Sequence, residues 1–377
     1  MSFYLKHFFN PDLHHLNLKP CSEVAEASGS NLYNLGYVQN VIKGQVLAEV
    51  VPLSEAGPDP DPRFILESAE PPLGFNTVVD PAHPQYILAA VNGYVFYSEG
   101  RITVKHLLNV RQDVSFQTGN IHFVGDMCVH GSVRAGFSVH ANNVRIMGMV
   151  EGGSVDARQD LVIDVGARGG TGQHCVLEAR GKILSPFLEK VEVRSRSHVI
   201  TEKYCLYCTA YVGGNLVVRE SLYGTTANAY GSVFVGKQLG NKAGVNTRIF
   251  LGYDPENIRE LEELDATISA LSQALVHLKA VAGHLPPDAT EASRKLVRTE
   301  KQRAQLIEQR ESLWKKLSRD ETSMATCRLI VPGTVYPGVE ISIGRTFMQV
   351  ERMYQNVTFM LSEDDIIVVP NNRDDLQ

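Results

Sequence analysis

The sequence predicts a mainly β chain: a β-solenoid interrupted by one antiparallel α-helical coiled-coil hairpin and preceded by a small N-terminal α+β capping domain. Three observations carry this. From about Val91 to Gly252, short apolar-x-apolar units are separated by Gly, Asn or Asp; from Pro255 to Asp320 the pattern turns helical; from Arg328 it is β again. Interior positions read Ile121-x-Phe123, Val129-x-Gly131-x-Val133, Val139-x-Ala141, Val144-x-Ile146, Val155-x-Ala157 and Leu161-x-Ile163. Period two in runs too short for a sandwich, returning about every 17 to 22 residues, is the pattern of stacked rungs burying one column of side chains. The expected boundaries are 1–88 for the capping domain, 89–253 for the β-helix, 254–321 for the hairpin and 322–377 for returning strands that complete the β-helix.

Residues 1–88 are read as largely irregular, with one strand at Gln45–Val51, because Pro52, Pro58, Pro60, Pro62, Pro71, Pro72, Pro81 and Pro84 each remove a donor and constrain the preceding residue. A unit here covers the first rung, whose unpaired N–H and C=O groups would otherwise recruit another strand. In the solenoid, Gly125, Gly152-Gly153, Gly166, Gly181, Gly213-Gly214-Asn215, Gly224 and Gly231 supply turns. The strand phase places Ile121, Val144, Ile146, Leu161 and Ile163 inward and His122, Arg145 and Val162 outward, with His130, His140, Asp156 and Arg158 also outward.

In the hairpin, Leu261, Leu264, Ile268, Leu271, Leu275 and Leu278 alternate steps of three and four, a coiled-coil seam. After a break at Gly283–Asp288 a second arm repeats apolar residues at sevens: Val297 and Ala304, Leu306 and Leu313, Ile307 and Trp314. Residues 255–282 hold five acids and two bases, and 290–319 hold four acids and nine bases, so the arms attract each other. Folding about Pro286-Pro287 sets Leu261 against Leu313, Ile268 against Leu306 and Leu278 against Leu296, and brings Leu264 toward Arg310 and Leu271 toward Arg303. Those two layers are weak, since arginine stems cover apolar surface while their heads reach water. Trp314 reads as seam packing, with an exposed anchor as the alternative. Leu264, Leu271, Arg303, Arg310 and Trp314 are the candidate partner-binding residues.

Composition excludes several classes. A net charge of −6 and a pI near 6.1 leave no concentrated positive field for nucleic acid. No apolar run approaches the ~20 residues of a membrane helix, and the polar start lacks a signal peptide's pattern, so membrane insertion is not expected and the expected location is cytoplasmic. The six cysteines offer only Cys205-Leu-Tyr-Cys208 as a close pair, without the further ligands of a zinc site, and are read as reduced. Gly169-Gly-Thr-Gly172 has no following Lys-Ser or Lys-Thr and reads as a turn. His122, His130, His140, His174 and His198 could line a groove, and Asp156, Asp160 and Asp164 could serve a solenoid lyase or glycosidase. The plainer reading for both sets is solvated surface. No catalytic residue, cofactor or metal ligand is assigned.

Thr118-Gly-Asn-Ile-His-Phe-Val-Gly-Asp126, Val129-His-Gly-Ser-Val-Arg-Ala-Gly136, Val144-Arg-Ile-Met-Gly-Met-Val-Glu151, Leu251-Gly-Tyr-Asp-Pro255 and Val335-Tyr-Pro-Gly-Val-Glu-Ile-Ser-Ile-Gly344 resemble the bacterial flagellar assembly protein A family over roughly residues 89–370. The resemblance implies a right-handed β-helix, related in shape to a polar cell-division inhibitor and to bactofilin polymers, and a role in flagellar assembly or polar placement without enzymatic activity. Gly224-Thr-Thr226 stands where the family usually shows a Gly-Gly pair, and the N-terminal region matches only around Gln45–Pro52. The expected function is a non-catalytic cytoplasmic scaffold or adaptor for flagellar or polar-assembly proteins, with homo-oligomerisation through the coiled coil or a β-helix face left open. The alternatives are a carbohydrate-active β-helix enzyme and a bactofilin-like filament former.

Overall fold

In a computed structural model, the structure describes residues 2–13, 36–170, 175–282, 290–317, 326–363 and 365–371, without the side chains of 281–282 and 290–293. Cys21, His174, the end of the Gly169–Gly172 turn and the Gly283–Asp288 break lie outside these residues. The chain is mainly β, a β-solenoid of about 8 turns with two helices packed together as a hairpin. It divides into two compact units, Met1–Glu192 and Val193–Gln377.

The first unit opens with a five-stranded antiparallel sheet in the order 65–66, 3–7, 46–52, 86–89, 77–79, and a three-stranded one in the order 40–41, 93–98, 101–105. Only one of the strands before residue 88 was expected. The others span two to five residues, too few for alternation to register. Leu5, Leu47, Phe64, Ile87, Ile102 and Val104 form the core of this region. His7 joins it, edge-on to Phe9, Phe64 and Tyr97. Burial pulls its imidazole down to about 4, so it is neutral near pH 7.

The parallel rungs begin at Leu107. Each turn contributes to three ladders: Leu108, Met127, Val144, Leu161 and Ile183 in the first, Val114, Val133, Val150, Ala167 and Leu188 in the second, and Ile121, Val139, Val155 and Leu177 in the third. All of these are buried. The strand phase agrees with the alternation: Ile121, Val144, Ile146, Leu161 and Ile163 are buried, His122 and Arg145 are exposed, and Val162 is half-buried.

Corners between ladders are held by side chains that substitute for strand partners. Asp126 Oδ1 accepts from the backbone N–H of Asn143 at 3.1 Å and the side chain of Asn142 at 2.8 Å; Asn143 Oδ1 accepts from Asp160 N, and Asp160 Oδ1 from Lys182 N. At the open edge of the 121–122 strand, Asn40 donates from Nδ2 to the carbonyl of His122 at 2.8 Å and accepts from Val124 N at 3.1 Å. One amide side chain thereby satisfies two edge groups that would otherwise face solvent or another chain.

The second unit repeats the plan. Its ladders are Val199, Leu216, Val233 and Leu329, Cys205, Leu222, Leu239 and Val335, and Ala210, Ala227, Ile249 and Ile341. The last strands are closed by antiparallel partners, 354–362 on 328–335 and 346–349 on 339–343.

Candidate functional site

The hairpin enters at one corner of the second unit. Elsewhere the chain passes from the third ladder to the first through three residues, Gly213–Asn215 after Val212 or Tyr230–Ser232 after Ala229. After Leu251 the same corner is replaced by everything from Gly252 to Cys327. Both ends rejoin the rung: Leu251 pairs with Ile343, and Arg328 N donates to Ser232 Oγ at 3.1 Å. Because the two ends meet at a position that needs only three residues, a long insertion costs little beyond closure entropy.

The motif Leu251-Gly-Tyr-Asp-Pro255 builds this junction residue by residue. Gly252 turns the chain with φ +84, a value that favours glycine. The Tyr253 hydroxyl donates to the carbonyl of Gly344, joining the motif before the hairpin to the one after it. Asp254 accepts from Glu256 N at 3.0 Å, capping helix α1 (Pro255–Ala282), whose first residue is a proline with no N–H to satisfy. The first turns of α1 are clamped to the rungs, Glu262 receiving a hydrogen bond from the Tyr211 hydroxyl and Glu256 meeting Arg196 at 2.6 Å.

Helix α2 (Thr290–Leu317) returns against α1. On α1 the positions turned inward are Leu261, Leu264, Ile268, Leu271, Leu275 and Leu278, the expected seam, with Ile268 and Leu275 the most buried. On α2 they are Leu296, Thr299, Arg303, Leu306, Ile307, Leu313 and Leu317. Here the sevens reading needs correction: Val297 and Trp314 are 63% and 56% exposed and Ala304 is exposed, so these lie off the seam. The expected layer of Leu271 with Arg303 places Arg303 in the seam, where it lies, but a heptad search restricted to apolar residues passes over Thr299, another true seam position.

The arms are linked where Arg303 Nε donates to Ser272 Oγ at 2.8 Å and Arg310 Nη1 reaches Asp265 Oδ1 at 3.3 Å. Both links sit one residue from the expected alignment. Ile268→Cys with Leu306→Cys is therefore expected to form a disulfide within one chain under mild oxidation, given the ~7 Å Cα limit. Peptide mapping by mass spectrometry reads the linkage, and a bond found only between chains would mean that the arms pair across a dimer.

Of the candidate partner-binding residues, Leu264, Leu271 and Arg303 are half-buried in the seam and Arg310 is exposed. Arg310 and Trp314 meet in one depression of about 360 Å³, lined also by Leu261, Asp265, Glu311 and Lys315. Leu271 and Arg303 belong to other layers. Asp265 and the root residues Tyr211 and Glu262 were not singled out from sequence; no spacing signal marks a cross-fold pair.

The outward residues of the rungs engage their neighbours on adjacent turns. His122 and His140 stack at 4.6 Å, and His140 Nδ1 lies 2.6 Å from Asp156 Oδ2. Burial first, then the charge of His140, lowers the His122 imidazole below its ordinary range. His130 meets Asn109, and His198 Nδ1 accepts from Asn215 N at a corner. Asp160 caps a corner, while Asp164 pairs with Arg145 at 3.0 Å. These acids do not converge on a point, and among the described residues no cluster of three His, Cys, Asp or Glu could hold a metal. The described cysteines are free thiols, four of the five buried. No described helix is long and apolar enough to cross a membrane.

No curated protein matches the chain, and no solved structure does. Residues 106–366, spanning rungs of both units and the hairpin with the two motifs that join at its root, match the family model described as the Flagellar Assembly Protein A beta solenoid domain, and the chain belongs to that family.

Proposed function

We propose that the protein is a non-catalytic cytoplasmic scaffold or adaptor of bacterial flagellar assembly or polar placement, which offers its hairpin to protein partners. The placement of the hairpin carries this reading. A corner that three residues close elsewhere holds two 28-residue helices instead, and 28 residues at ~1.5 Å each give an arm of roughly 42 Å. The solenoid gains nothing in closure from such a length. Clamps at the root, Tyr211 to Glu262 and Arg196 to Glu256, set the angle of the arm, as presenting a surface requires. The Arg310–Trp314 depression and the weak layers at Leu264 and Leu271 are the surfaces such a partner would use.

The test is a chain in which Gly252–Cys327 is replaced by Gly-Gly-Asn, the residues of the corner above. It is expected to keep its β circular dichroism and to lose both motility complementation and the flagellar proteins captured by the intact chain. Asp156→Asn, Asp160→Asn and Asp164→Asn combined are expected to leave complementation unchanged. Full complementation without the hairpin, or loss of function with intact fold in the triple Asn chain, would sink the scaffold reading.

A further inference from the structure

Charge is distributed unevenly along the hairpin. Residues 269–304, its distal half, carry six bases against three acids, whereas 255–268 with 305–317, the half next to the rungs, carry four bases against seven acids. The whole chain is acidic, at −6. A basic end on an acidic protein sets up a local positive field of its own, which attracts negatively charged groups.

Two of the six cations in the distal half have partners within the hairpin. Lys279 pairs with Glu300 at 2.8 Å, and Arg303 is drawn into the seam by Ser272. Arg294, Lys295, Arg298 and Lys301 are exposed, and their side chains make no ion pair or hydrogen bond among the described residues. Arg294, Arg298 and Lys301 stand at i, i+4 and i+7, one stripe on the side of α2 turned away from α1. Val297 flanks the stripe at 63% exposure, and Val276 on α1 is 72% exposed. Two arm turns are enough to present this stripe as a single face.

We propose that the distal half of the hairpin docks an acidic segment of a protein partner. This rests on reading the hairpin as a partner-binding arm, and it assigns that arm a ligand chemistry. Charge complementarity selects the partner: spaced guanidinium and ammonium groups match carboxylates at helical spacing, with Val297 beside the stripe giving a small apolar contact. An anionic membrane is a poorer fit, since residues 269–304 contain no Trp, Phe or Tyr to insert at an interface. Nucleic acid is a poorer fit for the same lack of stacking groups. The arm also explains how the acidic body tolerates an acidic partner: at ~0.15 M salt the Debye length is ~8 Å, so tens of ångströms of helix remove the repulsion.

The test uses the full chain and the variant Arg294→Glu, Arg298→Glu, Lys301→Glu, with a labelled Glu-rich helical peptide, phosphatidylserine vesicles and single-stranded RNA as probes. The peptide is expected to bind with an affinity that falls as salt rises and is about tenfold weaker for the variant, whose circular dichroism stays unchanged. Lys242→Glu, a charge reversal of an exposed residue outside the hairpin, is expected to leave peptide binding as it is. Equal peptide binding by the triple variant and the intact chain, or tighter binding of vesicles or RNA than of peptide, would overturn the proposal. Capture from a flagellated host separates the two levels. If the triple variant keeps the partners that the hairpin-replaced chain loses, the acidic ligand is wrong and the arm stands; if the hairpin-replaced chain loses none, the arm itself is wrong.

Discussion

Ile146→Asp is expected to abolish cooperative folding, while Arg145→Asp, one residue away, is expected to leave a soluble, folded chain. Ile146 is fully buried, stacked between Val129 and Ile163 in parallel register. An aspartate there would have to give up its charge or bury it, among aliphatic side chains with no donor to meet it. Its desolvation, together with the lost apolar contacts, costs on the order of 5 kcal/mol, comparable to the whole stability of a domain. Arg145 points the other way, and its guanidinium meets Asp164 at 3.0 Å in solvent. Losing an exposed ion pair and placing two carboxylates near each other costs about 1 kcal/mol. Urea titration followed by circular dichroism measures both. Similar midpoints for the two variants would mean that the alternation does not separate inside from outside at this rung.

That contrast was legible in the sequence because a strand has only two faces and the solenoid repeats the choice at every turn. Ile121, Val144, Leu161 and their neighbours announce the buried column by alternation alone, and the first helical arm announces its seam because every seam position is leucine or isoleucine. The second arm was legible only in part. Its seam includes Thr299 and Arg303, so the apolar sevens at Val297, Ala304 and Trp314 pointed to the wrong side. The N-terminal sheets were obscured for another reason: strands of two to five residues carry too few alternations to stand out. Corner ladders such as Asp126, Asn143 and Asp160 look like ordinary turn residues until the rungs are in register, because the carboxylate and the backbone N–H it receives are a full turn apart. The equivalence of the hairpin corner to Gly213–Asn215 is hidden in the same way.

Gly333→Ala is expected to be the most damaging one-carbon change in the second unit. Gly333 lies in the strand Arg328–Val335, where the chain returns from α2, at the corner between the first and second ladders. A Cβ at this position would sit 1.9 Å from the carbonyl oxygen of Lys237 and 2.5 Å from its Cα, both backbone atoms. That carbonyl accepts from Thr334 N at 2.8 Å, so the rungs cannot part without breaking the bond that sets the register of Gln238 on Thr334 and Leu239 on Val335. Gly236 stands at the same corner one turn earlier, and a Cβ added there would sit 2.1 Å from Arg219 O, which shows that close approach is a property of this corner rather than of one residue. The expected loss is about 3 kcal/mol, in the range of overpacking against atoms that cannot rotate away. Gly244→Ala supplies the contrast: φ is +67 and no atom lies within 4 Å, so only conformational strain of about 1 kcal/mol applies. Thermal melts of the two variants should therefore differ clearly, and amide exchange in Arg328–Val335 should rise for Gly333→Ala alone. If the two glycines cost the same, backbone conformation rather than contact between successive turns governs the corner, and the return of the chain from the hairpin is not anchored where the rungs are closest.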